Sequence, residues 1–280
     1  MRRDVLVTAD ELAAALADDE PPVLLDVRWA LGRTGPQARE RYLAGHLPGA
    51  VFVDLEAELA APPSPAAGRH PLPAVAELEA AARRWGVREG SSVVVYDDVA
   101  GTSAARAWWL LRWAGVAAVR LLDGGLPAWT AAGRSLEAGD VVAEPGDLVV
   151  RAGSMPTVTA DGAAVWPGTG ALLDARAAER YAGLVEPVDP RAGHIPGAVS
   201  ASTWDNLTED GRFLPDDALR ARFASLAAGR PVAVYCGSGV TAAHEVAALA
   251  VVGTEAALFP GSWSAWSNDP ARPVATGDRP

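Results

Sequence analysis

The chain has 280 residues, half of them apolar and 21% charged, with a formal net charge of −11; this length suits two domains that each bury a core of their own. The acidity excludes a general binder of nucleic acid or of anionic membranes, because both tasks need a basic surface. The single cysteine excludes a disulfide framework and a cysteine-cluster zinc site, and no run approaches the ~20 uncharged apolar residues of a membrane span. The opening stretch MRRDVLVTADELAAALADDE lacks the apolar core of a signal peptide. An unpaired thiol suits a reducing compartment, so a cytoplasmic protein is expected.

In chain order, VLLDV (23–27), AVFVD (50–54), SVVVYD (92–97) and VRLLDG (119–124) are short apolar runs that predict strands. Helical spacing of apolar residues marks AVAELEAAARRWG (74–86) and TSAARAWWLLRWAG (102–115). The stretch GRSLEAGDVVAEPGD (133–147) has the composition of a linker. The same order then returns. ALLDA, AVSAS, PVAVY and AALFP predict strands, and DDALRARFASLAAG (216–229) and VTAAHEVAALAVVG (240–253) predict helices. Each of the four helical patterns ends at glycine, a common C-terminal stop.

The recurrence is a duplication. LLDVR (24–28) matches LLDAR (172–176), GHLPGAV (45–51) matches GHIPGAV (193–199), SVVVYDD (92–98) matches PVAVYCG (231–237), and LLDGGLPAW (121–129) matches LFPGSWSAW (258–266). Ordered matches across the whole length indicate two copies of one domain. The expected boundaries are 1–135 for the first copy, 136–156 for a linker and 157–280 for the second copy. Apolar strands alternating with helices predict an α/β fold in which each copy is a mostly parallel sheet flanked by helices on both faces. In such sheets ligands bind beyond the carboxyl ends of the strands.

Cys236 stands at one such end, in CGSGVTAAH, between a strand and a helix. Gly237 and Gly239 let the backbone curl tightly, and the helix that begins near Val240 and Thr241 adds the positive end of its dipole. Main-chain N–H groups turned inward there form an anion cradle. A cradle of this kind favours the thiolate, which is the nucleophile. A cysteine phosphatase would need a guanidinium shortly after the thiol, and a phosphate-binding P-loop would need GK[ST]; the chain has neither at this point.

The loop CGSGVTA (236–242) resembles the active-site loop of the 3-mercaptopyruvate sulfurtransferases, within the tandem-domain rhodanese family that also holds the thiosulfate sulfurtransferases. The resemblance extends over the whole chain through DVRW, GHLPGA, HPLP, the WW-containing helix, LLDGGLPAW, LLDAR, ERY, GHIPGA and GSWSAW. It implies two rhodanese-like domains. The first is inactive, with Asp97 at the cysteine position, and the second is catalytic. It also implies a two-step transfer, in which Cys236 takes sulfur from a donor as a persulfide and hands it to a thiol such as thioredoxin or a small thiol, or to cyanide.

The same resemblance implies the site residues. Arg180 in AERYAG corresponds to the arginine that binds the substrate carboxylate, a pairing that two parallel charge-assisted hydrogen bonds favour. A second family arginine falls at Asp189 here, and Arg191 is the nearby substitute. Ser238 corresponds to a serine that works with a histidine and an acid, for which His70 in RHPLP and Glu56 in VDLEAEL stand at the matching positions. Gly237, Gly239, Val240 and Thr241 complete the substrate cradle. His46 and His194 recur in both copies and are expected to serve the fold. Trp29 and Trp263 are aromatic neighbours without an assigned catalytic role. The animal enzymes carry a second cysteine where this chain has Ala243. No cofactor or metal is implied.

The small-molecule donor follows from the loop. The animal thiosulfate enzymes have Arg-Lys after the cysteine, and this chain has Gly237-Ser238. Losing a charge-assisted hydrogen bond to a dianion costs about 1–3 kcal/mol. The expectation is therefore 3-mercaptopyruvate, with thiosulfate as the alternative donor. A non-catalytic module that binds a partner or carries sulfur is the reading from another class. No nucleic acid or membrane partner is expected.

Overall fold

The computed structural model describes all 280 residues, which divide into two compact units, each built on a parallel sheet. In the first unit the strands are β1 (Leu6–Val7), β2 (Val23–Asp26), β3 (Val51–Phe52), β4 (Ser92–Tyr96) and β5 (Ala118–Leu122), in the order β1-β5-β4-β2-β3. In the second they are β6 (Ala171–Asp174), β7 (Val199–Ser200), β8 (Val232–Tyr235) and β9 (Ala256–Leu258), in the order β7-β6-β8-β9. Helices flank both sheets. The duplication is visible in register, with Leu24 opposite Val94 and Asp26 opposite Tyr96 in one sheet, and Leu172 opposite Ala233 and Asp174 opposite Tyr235 in the other.

The four expected helices form at Val75–Arg84, Ala104–Trp113, Asp216–Ala227 and Thr241–Val251. The glycines after them, Gly86, Gly115, Gly229 and Gly253, all have positive φ, which explains why the pattern stops there. The runs AVFVD and AVSAS contribute only two paired residues each, because they are edge strands that pair on one side. Edge strand β1 was not among the expected strands; its two residues pair with β5 and are too few to carry a period.

Each unit has its own core. Val7, Leu12, Leu24, Val94, Tyr96 and Trp129 pack together in the first, and Leu172, Tyr181, Ala233, Tyr235, Trp263 and Trp266 in the second. The repeated GH(L/I)PGA motif serves this packing. His46 stacks on Tyr42 with ring centroids 4.2 Å apart, and His194 stacks on Tyr181 at 3.7 Å. Their Nδ1 atoms donate to the carbonyls of Leu47 and Tyr181, at 2.9 and 2.8 Å. The hydroxyls of Tyr42 and Tyr181 donate to the carbonyls of Ala50 and Ala198.

The units depart from the limits expected by chain position in two segments. Residues 62–72 belong to the second unit, and 209–213 belong to the first. Residues 136–155 lie along the first unit and form no free linker. Glu137 bridges to His46, and the amides of Gly146, Leu148 and Arg151 donate to the carbonyls of Arg83, Val87 and Ala114. No helix is long and apolar enough to cross a membrane.

Candidate active site

The chain reverses direction across the second sheet between β6 and β8, since β7 lies outside β6 on one side and β9 outside β8 on the other. A crevice opens beyond the carboxyl ends of strands at such a switch point. Cys236 follows β8 there. All of Val232–Tyr235 are buried, which fixes the direction in which the strand delivers the thiol. The helix after the loop, Thr241–Val251, is buried along most of its length, and its alanines let it sit close to the sheet.

The loop Cys236–Val240 is held from behind by the start of the helix Ser262–Asn268. Cys236 N–H donates to Ser262 Oγ at 3.1 Å, while Trp263 N–H and Ser264 N–H donate to the carbonyls of Cys236 and Gly237 at 2.9 and 2.8 Å. Ser262 Oγ in turn donates to the Phe259 carbonyl at 2.9 Å. Ser262 does this at φ 52°, a region that costs a residue with a side chain about 1–3 kcal/mol. Its counterpart in the first unit is Gly125, at φ 58°. The hydroxyl that fastens Cys236 is gained where the repeat has a glycine.

On its open side the loop presents donors. Gly239, at φ 79°, points its N–H at Cys236 Sγ, 3.1 Å away. The main-chain N–H groups of Gly237, Ser238, Val240 and Thr241 donate to no acceptor within the chain. Cys236 is 1% exposed and Ser238 5%. The first unit shows what such a loop holds. Both oxygens of Asp97 accept there, from the amides of Val99, Gly101, Ser103 and Ala104 at 2.7–2.9 Å. Burial pushes the Asp97 carboxyl above its ordinary range, and those four N–H groups oppose the shift. One copy of the loop is thus filled by a carboxylate of its own, and the other faces a sulfur.

Ser238 and His70 come together. His70 Nδ1 lies 2.8 Å from Ser238 Oγ, and both side chains are buried. This follows from the placement of residues 62–72 in the second unit. Glu56 belongs to the first unit, where its carboxylate accepts from the Trp29 indole at 3.2 Å. Arg180 reaches the loop. A Cβ built on Gly237 would meet Arg180 Nη1 at 3.4 Å and Arg69 Nη2 at 3.0 Å.

Arg191, expected as the substitute for the family's second arginine, is engaged by the chain itself. Its guanidinium is spent on four main-chain carbonyls, those of Trp266, Ser267, Asp269 and Arg272, at 2.6–2.9 Å. It ties down the end of the chain with four of its five N–H donors. The cation beside Arg180 is Arg69, which the sequence reading missed. Arg69 Nη1 donates to Asp189 Oδ1, and Asp189 Oδ2 lies 3.5 Å from Arg180 Nη2. Burial raises the Asp189 carboxyl above its usual range, against the pull of Arg69. Glu186 is pushed up by burial but held below its usual range by the Asp189 N–H and by Arg180, whose Nη2 lies 2.6 Å away.

Behind the loop, Arg176 grips Asp174 through Nε and Nη2 at 2.9 and 2.6 Å and lies 4.6 Å over the Trp263 ring. On the far side of the loop, Glu245 is fully buried in the helix Thr241–Val251, with Oε2 accepting from Asn206 at 2.5 Å. Burial pushes its carboxyl up to about 7 from 4.5. Between those values the unfolded chain is ionised while the folded protein still holds the proton. Stability therefore falls as pH rises across that window, by roughly 3 kcal/mol at ~1.4 kcal/mol per pKa unit. In Glu245→Gln this decline is absent. Urea unfolding at pH 5 and 7.5 is expected to show a steeper loss in the wild type than in the variant; parallel losses would contradict the assignment.

Comparison with known proteins agrees with this architecture. The rhodanese-like domain model matches residues 8–132 and 160–269. The chain is 52% identical to SseB of Mycobacterium tuberculosis, by name a thiosulfate sulfurtransferase, over 99% of this chain and 98% of that protein. It is 51% identical to a protein of Pseudomonas aeruginosa named as a 3-mercaptopyruvate sulfurtransferase, over 98% of both. The crystal structure of SseA from Escherichia coli superposes with a TM-score of 0.81 at 36% identity, covering 92% of this chain and 98% of that one. With two repeats of one fold, each matched by the same model, the chain belongs to the rhodanese-like family, as a two-domain member among the sulfurtransferases.

Proposed function

We infer that the protein moves a sulfane sulfur from 3-mercaptopyruvate, through a persulfide on Cys236, to a thiol such as thioredoxin or a small thiol, or to cyanide. The observation that carries this reading is the sulfur itself, placed against the Gly239 N–H in a loop whose counterpart holds a carboxylate with four amides. In the first step the Cys236 thiolate attacks the donor sulfur. The carbon–sulfur bond breaks, its electron pair stays on carbon as the enolate of pyruvate, and a proton completes pyruvate. The Ser238–His70 pair supplies a path for that proton. In the second step the acceptor thiol takes the outer sulfur and Cys236 returns to its thiol form.

Arg180 supports a carboxylate-bearing donor, because it reaches the loop and its Nε is buried without an acceptor. Thiosulfate remains the second reading, supported by the name of the Mycobacterium tuberculosis relative. The single unpaired cysteine supports a cytoplasmic setting. The test is turnover of each donor with a thiol acceptor in the wild type and in Arg180→Ala. The wild type is expected to release pyruvate from 3-mercaptopyruvate, and the variant to lose at least tenfold in kcat/KM. A loss confined to thiosulfate would overturn the choice of donor.

A further inference from the structure

We propose that Arg69 is a second donor-binding side chain, which binds the anionic group of the sulfur donor together with Arg180 and is held ready by Asp189. The assignment rests on the functional reading above and deepens it. Gly237, the residue after the nucleophile, lies outside the left-handed region that favours glycine, so a positive φ does not explain its lack of a side chain. The space beside it is taken by two guanidiniums. A Cβ there would lie 3.0 Å from Arg69 Nη2, and 3.4 and 3.7 Å from Arg180 Nη1 and Nη2. Glycine at this position leaves room for both cations against the loop.

The carboxylates that hold the two arginines leave donors of both without an acceptor near the loop. Asp189 takes Nη1 of Arg69 and comes to 3.5 Å from Nη2 of Arg180. Glu186 takes Nη2 of Arg180 at 2.6 Å. This leaves Arg69 Nη2 beside Gly237 with no acceptor in the chain, together with the buried Nε of Arg180. The side chains are 26% and 17% exposed, so a small solute reaches them. Two arginines against two carboxylates make the group neutral overall. It offers directed N–H donors without a strong positive field, which suits the single charge of a carboxylate better than the double charge of thiosulfate. Asp189 is then a positioning residue, and its burial between the two cations is what fixes the fork.

Arg69 is also next to His70, so an effect through His70 must be separated from an effect on donor binding. The experiment measures kcat and KM for 3-mercaptopyruvate and for thiosulfate in wild type, Arg69→Ala and Arg69→Lys, with cyanide as acceptor. Arg69→Ala is expected to lose tenfold or more in kcat/KM for 3-mercaptopyruvate, carried mainly by KM, with a smaller loss for thiosulfate. Arg69→Lys, which keeps the charge but not the fork, is expected to recover part of the loss. Unchanged KM with a fall in kcat would show an indirect role through His70 and overturn the assignment, as would wild-type kinetics in both variants. Should Arg69→Ala fail to fold, a KM in Arg69→Lys equal to wild type would overturn it equally. A wild type inactive with both donors would sink the functional reading itself, a different outcome from any of these.

Discussion

Cys236→Ser is expected to reduce sulfur transfer to the rate without protein, a loss of about 10⁴-fold or more, as for removal of other enzymatic nucleophiles. The fold should survive. Serine is close in size to cysteine, and the contacts that fasten residue 236 run through its main chain to Ser262 and Trp263. Urea midpoints near the wild-type value are therefore expected alongside the loss of pyruvate release. A variant that kept a tenth of the activity would show that sulfur moves by another route. The hydroxyl of Ser238, one turn of loop away, is already committed to His70 and offers no second nucleophile of comparable softness.

The second large effect is on stability. Asp174→Asn should destabilise the second unit by about 3–5 kcal/mol, the usual cost of stranding one member of a buried ion pair. Arg176 is 1% exposed and Asp174 fully buried. Burial alone would lower the Arg176 guanidinium, yet Asp174, with Tyr235 and Glu186, outweighs it and holds it above its ordinary value. With the asparagine, Glu186 at 3.3 Å is the one carboxylate left beside the charge on Arg176. Because Arg176 lies over Trp263, and Trp263 N–H holds the Cys236 carbonyl, the loss should also loosen the loop. Unfolding free energies within 1 kcal/mol of each other would contradict this. The first unit repeats the device with Arg28 on Asp26, where burial raises the carboxyl to about 6 even against Arg28.

Much of this architecture is legible in the chain because it is periodic or repeated. The apolar runs that end in Asp97 and Cys236 are buried on both faces and cannot be read as anything but core strands. Their matching positions identify the two loops before any contact is known. His70 and Ser238 could be paired only through the family resemblance, since 168 residues separate them. Arg69 could not be found that way. It lies in an irregular segment, 62–72, that leaves the first unit by chain order and joins the second by packing, and no local pattern announces such a crossing.

Arg191 is the opposite case. Its place in the chain is close to that of a substrate arginine, but carbonyls at 266–272 claim it, and irregular backbone leaves no trace of its hydrogen-bonding needs in the sequence. Ser262 could have been found. The repeat aligns it with Gly125, and a serine standing where the other copy has glycine marks a backbone conformation retained at a cost for the sake of its hydroxyl.

The central claim is that Cys236 carries the sulfur in a loop of main-chain donors. The most direct measurement is the mass of the protein after reaction with excess 3-mercaptopyruvate and no acceptor, with pyruvate counted in the same sample. The account predicts one pyruvate per chain in the first turnover and a gain of one sulfur atom, located on the peptide that contains Cys236 and removed by cyanide. Pyruvate released without any gain in mass, or sulfur found elsewhere than on that peptide, would contradict it.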